Sequence, residues 1–410
     1  MSVLKLLPLA LLFFTVPSSA GTLTLDEAEK AMLASNPQAA AARLDLEASK
    51  ARFTAARAGF YPAFSAVASY SRSGTRGIPA GDAYSYGVNG TQSLFSPSLP
   101  AAVRTAKAAV RTAEAAYDRE ASGLRYQLKS SFADIINARE TISLSEETLK
   151  RRAENLDLIR LKYQAGRENK AALLETEAAL KTSEWEHEKY KTNLRLLERK
   201  LNRLLGRPAL SPVPDLRLPA PPEPPEDLAS FSPVLENHYS LRSARAALES
   251  AGYSVDSAKG ARLPQAAATG SYAWNGTAWP YSLNTWSLGA SLSLPLFSGG
   301  RLSSDLSAAE SAKLSAGAAL KNASDEVYLN AEDAFLSWRE ARSYMDVAKS
   351  SLDAAEARAW LVRKQYLAGQ TSYFEWRNVE EQFISWQNQY LAAGRALEVS
   401  HAAFIQAIGE

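Results

Sequence analysis

Three histidines, His187, His238 and His401, are the side chains best suited to bind a metal or carry a proton near neutral pH. A helical zinc site places its histidines four residues apart on one face, and no histidine follows any of these at that spacing. They fall far apart in separate predicted helices and read as solvated side chains. With no cysteine in the chain, thiolate metal sites, cysteine nucleophiles and disulfides are excluded together. Glu184, Glu186 and Glu188 could present carboxylates, but Lys181, Lys189 and Lys191 surround them, the pattern of a salt-bridged solvent face. No phosphate-binding glycine loop and no nucleophile elbow occurs. The residues therefore point away from an enzyme, with no catalytic, cofactor or metal site.

Composition narrows the classes further. Lys plus Arg total 46 against 44 Asp plus Glu, so no net field favours nucleic acid. Much of the 46% hydrophobic content is alanine, which suits closely packed helices. The first twenty residues have the plan of a secretory signal: Lys5, an apolar run from Leu6 to Val16, and the small residues Ser18-Ser19-Ala20. The mature chain is expected to start at Gly21, without a lipidated cysteine. That run is too short to span a bilayer as a helix, and no other reaches 18 apolar residues.

The most informative stretch runs from Thr285 to Phe297. Trp286, Leu288, Ala290, Leu292 and Leu294 share one parity; Ser287, Gly289, Ser291 and Ser293 share the other. A period of two with one apolar and one small or polar face is that of a β-strand lying between lipid and water. Phe64, Ala66, Ala68 and Tyr70, then Tyr84, Tyr86 and Val88, repeat the apolar parity in an earlier hairpin. Strands are expected at about 62–75, 83–96, 264–275 and 284–297. Tyr70, Tyr84, Tyr86, Tyr272, Trp286, Leu288 and Leu292 face lipid in this scheme. Tyr61, Tyr84, Tyr86, Trp274, Trp286 and Phe297 form aromatic girdles, and the loops Gly74 to Asp82 and Gly276 to Asn284 lie outside the cell.

Helices fill the rest. Thr24, Asp26 and Glu27 open a helix of about nine turns to Arg57. Val103, Val110, Tyr117 and Leu124, then Leu128, Ile135, Ile142, Leu149, Leu156 and Tyr163, are spaced by seven in two frames. That helix would be about 100 Å long. It closes at Ala165-Gly166, and a second helix from about Asn169 to Leu205 carries Leu173, Leu180, Leu194 and Leu201. Eight of the 19 prolines fall between Pro208 and Pro225, which predicts an extended linker without regular hydrogen bonding.

After the linker the plan begins again. Pro62, Ser69, Tyr70 and Gly74 recur as Pro264, Ser271, Tyr272 and Gly276, and Leu94-Phe95-Ser96 as Leu296-Phe297-Ser298, all at an offset of 202. Tyr163-Gln164-Ala165-Gly166 recurs as Tyr366-Leu367-Ala368-Gly369, one residue further on. The organisation is thus a signal over 1–20, one repeat over 21–207, the linker over 208–226 and a second repeat over 227–410. Two short helices end to end match each long one, which predicts four helical columns topped by four strands. Open strand edges in hydrocarbon cost several kcal/mol per unpaired group, so the barrel must close between chains. A Ser-, Gly-, Asn- and Thr-lined lumen suits an open passage, hence three or more chains rather than two.

This duplicated plan, with its two Tyr-x-x-Gly turns and signal sequence, resembles the TolC-type outer-membrane efflux proteins over nearly the whole mature chain. The resemblance implies a mainly α fold: a long coiled-coil helical barrel capped by a trimeric twelve-stranded β-barrel, four strands per chain. It implies a passive duct for efflux or type I secretion, a homotrimer in outer-membrane lipid that meets a periplasmic adaptor and an inner-membrane pump. Ala165, Gly166, Arg167, Ala368, Gly369 and Gln370 would be the periplasmic tips where the adaptor docks. Tyr366, Thr371, Glu375 and Asn378 would lie at the pore entrance, Glu375 and Asn378 at the family's pair of pore-facing acids. Tyr366 matches the tyrosine of the family's closing link, whereas Thr371 and Ala172 stand where its charged partners would be. Phe374 and Trp376, beside Glu375, would close the entrance by apolar packing. The rival reading is a soluble periplasmic coiled-coil adaptor or scaffold without a barrel.

Overall fold

The computed structural model describes residues 22–77, 80–278 and 283–410. The expected signal sequence, and the tips of both outer loops, lie outside the described residues. A short strand β1 (Leu23–Thr24) leads into α1 (Leu25–Ser35), where the Thr24 side chain and Glu27 cap each other's backbone amides as the sequence predicts. The expected nine-turn helix does not continue. Asn36 turns extended, and α2 (Pro37–Ala58) starts afresh, because Pro37 has no amide to donate and disfavours helical backbone before it. Asn36 is buried in the break: its Oδ1 accepts from the Gln38 amide at 2.7 Å, and its Nδ2 donates to the Leu204 carbonyl at 2.8 Å.

Strands β2 (Ala63–Ser73) and β3 (Gly81–Phe95) form the first hairpin; α3 (Ser98–Gln164) and α4 (Lys170–Leu204) follow. After β4 (Leu216–Arg217), a 3-10 turn and α5 (Ser232–Glu236) come α6 (Tyr239–Gly260), β5 (Gln265–Gly276), β6 (Leu283–Ser293), α7 (Arg301–Leu367) and α8 (Tyr373–Ala407). Both long helices have 67 residues, and so reach about 100 Å each. Among the described residues no helix is long and apolar enough to cross a membrane. The last strand ends at Ser293 rather than near 297, ahead of Pro295, which has no ladder donor.

The linker is not free of regular hydrogen bonding as expected. β4 pairs parallel with β1, and Arg139 on α3 donates to the Val213 and Pro214 carbonyls at 3.1 and 3.2 Å while pairing with Asp215. Prolines remove amide donors but leave carbonyls, and these carbonyls find a guanidinium.

Four columns of helices result. The α2–α4 column packs on α3, α3 packs on the α6–α8 column, and that column packs on α7. The core is built twice: Met32, Leu128, Phe132, Ile135, Leu201 and Leu205 in the first copy, and Leu235, Ala331, Phe335, Trp338, Phe404 and Ile408 in the second. The heptad frame needs one correction. In the upper part of α3 the fully buried sevens are Ala101, Ala108, Ala115 and Ser122, not the frame of Val103, Val110 and Tyr117. Small side chains let neighbouring columns approach, so the larger ones are left at the edges of the seam.

The histidines also need correction, since His187 and His238 are buried and His401 is half-buried. His187 is buried, with Nδ1 2.7 Å from the Ser145 hydroxyl. His238 is buried at the N-cap of α6 rather than within a helix, and accepts from the Ser240 amide. The His401 ring packs tilted against Trp338, with ring centroids 4.8 Å apart. Among the described residues no group of ligating side chains could hold a metal ion.

Burial pushes Glu398 up to about 7, against a smaller effect of Lys129, and pushes His401 down to about 4, where the Lys129 charge acts in the same direction. These shifts act in opposite directions on stability. The Glu398 contribution is full below the ordinary carboxylate value of 4.5 and is lost as pH rises through about 7; the His401 contribution is full above 6.5 and is lost as pH falls toward about 4. Their slopes oppose each other in between, and the uncharged Trp338 of α7 adds none. Glu398→Gln should therefore be more stable than the native chain at pH 8, and its urea midpoint should fall on acidification from 6.5 toward 4 more steeply than the native one. Tryptophan fluorescence in detergent measures both; a pH profile superimposable on the native one would contradict this pairing.

Candidate pore entrance and docking tips

Each long helix ends in the same motif. Gly166 (φ 69°) and Gly369 (φ 76°) take the left-handed conformation, where a Cβ would meet the following carbonyl. The Arg167 and Gln370 amides then reach back to the Lys162 and Gln365 carbonyls at 2.8 Å, which satisfies the last free helical acceptors. Asn169 and Ser372 cap the return helices through the Ala172 and Glu375 amides. All six expected tip residues, Ala165, Gly166, Arg167, Ala368, Gly369 and Gln370, are exposed on these two hairpin ends.

The two tips are fastened to each other by groups whose pairing the sequence did not reveal. Tyr366 is 3% exposed; its hydroxyl donates to Glu168 at 2.9 Å, and its ring stacks on Trp376 with centroids 4.6 Å apart. Lys162 lies 3.6 Å from the centre of that ring and donates to the Tyr366 carbonyl at 3.1 Å. Burial, and then the Glu168 carboxylate, hold the Tyr366 hydroxyl well above its ordinary pKa, so it stays a donor. Arg377 pairs with Glu175 at 2.6 Å, Arg152 with Glu381 at 2.6 Å, and the Thr176 and Tyr373 hydroxyls are 2.9 Å apart. Most of these partners are about 200 residues apart, beyond any local periodicity.

Of the expected entrance residues, Tyr366 is therefore core and fastener. Ala172 is buried beneath the first tip, and Thr371 is half-buried at the second. Glu375 is half-buried, paired with Arg358 at 3.0 Å, while Asn378 one turn on is exposed. The expected joint role of Phe374 and Trp376 splits. Trp376 is buried in the tip's own core with Ile159, Val362 and Phe383, and only Phe374 is exposed. Positions two apart on a helix diverge by about 200°, so the two rings point to opposite sides and only one of them can face the core.

At the opposite end the strands form one antiparallel sheet in the order β2-β3-β5-β6. Directly opposed residues in such a sheet share a face. The register pairs Tyr70 with Tyr84, Tyr86 with Trp274, and Tyr272 with Trp286, and carries Leu288 and Leu292 onto the same face. Trp286, Leu288 and Leu292 are 73–81% exposed there. The other face carries hydroxyls and amides: Ser271 and Ser287 oxygens lie 2.8 Å apart, and Asn275 donates to Thr285 at 2.8 Å. A sheet with one apolar exposed face and one polar face has the two-sided pattern of strands that lie between lipid and water.

The sequence profile of the outer membrane efflux protein family matches residues 30–207 and 231–410, one stretch in each repeat. The chain belongs to this family. It is 24% identical over 389 residues to nodulation protein T of Rhizobium leguminosarum, covering 91% of this chain and 79% of that one. It is 21% identical over 292 residues to the outer membrane efflux protein BepC of Brucella suis, covering 69% of this chain. The match spans 62% of the length of BepC, less than two thirds. The fold superposes on the CmeC outer membrane channel of Campylobacter jejuni with a TM-score of 0.82 at 18% identity, over 94% of this chain and 85% of that one. Family and fold are those of TolC-type channel proteins, not enzymes.

Proposed function

We propose that three copies of this chain form an exit duct in the outer membrane, through which substrates pass passively from a periplasmic adaptor and inner-membrane pump to the outside. The observation that carries this reading is the four-stranded sheet: one apolar face, one polar face, and two end strands, β2 and β6, with no partner strand beyond them among the described residues. Unpaired strand edges are not tolerated in hydrocarbon, and three such sheets make a twelve-stranded barrel. The helical columns below it would join into a tunnel, with α7 of one copy meeting the α2–α4 column of the next. The two tips then lie at the periplasmic end and offer their exposed turns to the adaptor. Outer-membrane fractionation with crosslinking tests the reading: a heat-modifiable trimer is expected, while a monomer released by a salt wash would end it.

In this duct Glu375 and Asn378 face the entrance, and Glu375 sets a weak cation preference. Glu375→Ala is expected to reduce cation selectivity in single-channel recordings. Arg358→Ala, which releases the Glu375 carboxylate from its 3.0 Å partner, is expected to increase it. Arg358 is exposed and Glu375 half-buried, so solvent reaches the pair and the effects should shrink as salt rises and the Debye length falls below about 10 Å. Unchanged selectivity in both variants would remove Glu375 from the entrance.

A further inference from the structure

Strand β3 of the first repeat pairs with β5 of the second inside one chain. The offset of 202 residues that relates the repeats carries β3 onto β6 and β5 onto β2. β6 and β2 are the two ends of the sheet and do not pair with each other among the described residues. We propose that β6 of one copy pairs with β2 of the next in the register of the β3–β5 seam. Trp286 then faces Gly74, Ala290 faces Tyr70, Ser291 faces Ser69, Leu292 faces Ala68 and Phe297 faces Phe64. This rests on the trimeric duct reading and adds the residue-level seam.

Three features of the chain converge on that register. The first is a pair of glycines. A Cβ on Gly87 would lie 2.4 Å from the Tyr272 carbonyl oxygen and 2.8 Å from Ala273, so glycine is what lets β3 and β5 close together. Its counterpart Gly289 meets only the Thr269 side chain in its own chain, at 3.6 Å. In the transferred register its close neighbours are Tyr70 and Ser71 of the next copy, the counterparts of Tyr272 and Ala273. The second is Pro295, which falls at the position of Ser93, next to the register irregularity between Ser93 and Phe95. A proline is tolerated where the ladder is already interrupted. The third is the faces: Ala290, Leu292, Tyr70 and Ala68 stay together toward lipid, and Ser291 and Ser69 toward the lumen. A slip of one residue would turn every one of them over.

The helices carry the same operation with an offset of 203. Thr141 and Leu144 on α3 and Asn388 on α8 line one small cavity. Their counterparts are Tyr344 and Val347 on α7 and Trp185 on α4, which are 44, 53 and 62% exposed at the edge columns. Trp185 of one copy accordingly packs against Tyr344 and Val347 of the next, which covers apolar side chains that a single chain leaves in water.

The absence of cysteine makes the seam directly testable. Facing residues have Cα atoms about 4.5–5.5 Å apart, within reach of a disulfide, whereas a shift of two residues gives about 7–8 Å. Within one chain, positions 69 and 291 lie three strand spacings apart, about 14 Å, and cannot join. Ser69→Cys with Ser291→Cys, oxidised in outer-membrane vesicles, should yield covalent trimers on non-reducing denaturing gels. The yield should be at least about tenfold above that of Val67→Cys or Ser71→Cys combined with Ser291→Cys. Equal or better crosslinking by a shifted pair overturns the register and leaves the trimer intact. No crosslink from any pair, with monomer throughout, overturns the duct reading and the seam together. Gly289→Val should keep native helicity by circular dichroism yet lose the heat-resistant trimer; native assembly in that variant would contradict the close approach.

Discussion

Trp338→Ala is expected to cost about 3–5 kcal/mol, the largest loss from any single truncation in the upper core. Trp338 is 2% exposed, stacks on Phe404 with centroids 5.2 Å apart, and packs tilted against His401. It occupies the place that Ile135 holds in the first repeat, so the second core is built around a larger side chain and would be left with the larger hole. Trp338→Phe separates packing from polarity. The indole Nε1 is buried without a hydrogen-bond partner, so its loss removes an unsatisfied donor, and the cost should stay below about 1.5 kcal/mol. Chemical denaturation followed by far-UV circular dichroism measures both. Equal losses in the two variants would mean that volume is not what this position supplies.

Tyr366→Phe should have the largest effect on opening. The ring and its stack on Trp376 survive, and only the 2.9 Å hydrogen bond to Glu168 is lost. A hydrogen bond to a charged acceptor is worth about 1.5–3 kcal/mol, reduced toward about 1 kcal/mol here because the freed carboxylate can be rehydrated. If the tips part when the duct opens, that loss shifts the balance toward the open state by about fivefold or more. Longer open dwell times in planar bilayers are the expected result. Glu168→Gln, which keeps a neutral acceptor, should fall between native and Tyr366→Phe. Native dwell times in a correctly assembled Tyr366→Phe trimer would show that this fastener does not move.

Much of this protein is written in local pattern. The alternation around Leu288 fixes a strand and its faces because opposite sides of a strand are one residue apart. Gly166 and Gly369 fix the turns because few other residues tolerate a positive φ. The gapless copy of one hairpin in the other fixes how many strands the chain supplies. Each of these depends on residues a few positions apart, or on the repetition of such a group.

Tertiary structure decided what depends on partners remote in sequence. Nothing within a few residues of Asn36 says that its amide nitrogen will meet the Leu204 carbonyl, or that Arg139 will pin a proline linker. The heptads of α3 pointed to the face of Val103, Val110 and Tyr117, whereas the approach of neighbouring columns buried that of Ala101, Ala108 and Ala115. His187 sank toward Ser145, and Trp376 turned inward while Phe374, two positions before it, stayed out. The physical reason is common to all of them. Backbone hydrogen bonding and hydrophobic period are satisfied mostly by near neighbours, so sequence alone determines most of the helices, strands and turns. A buried polar group or an ambiguous helical face is settled by whichever surface packs against it, and only the folded chain brings that surface there.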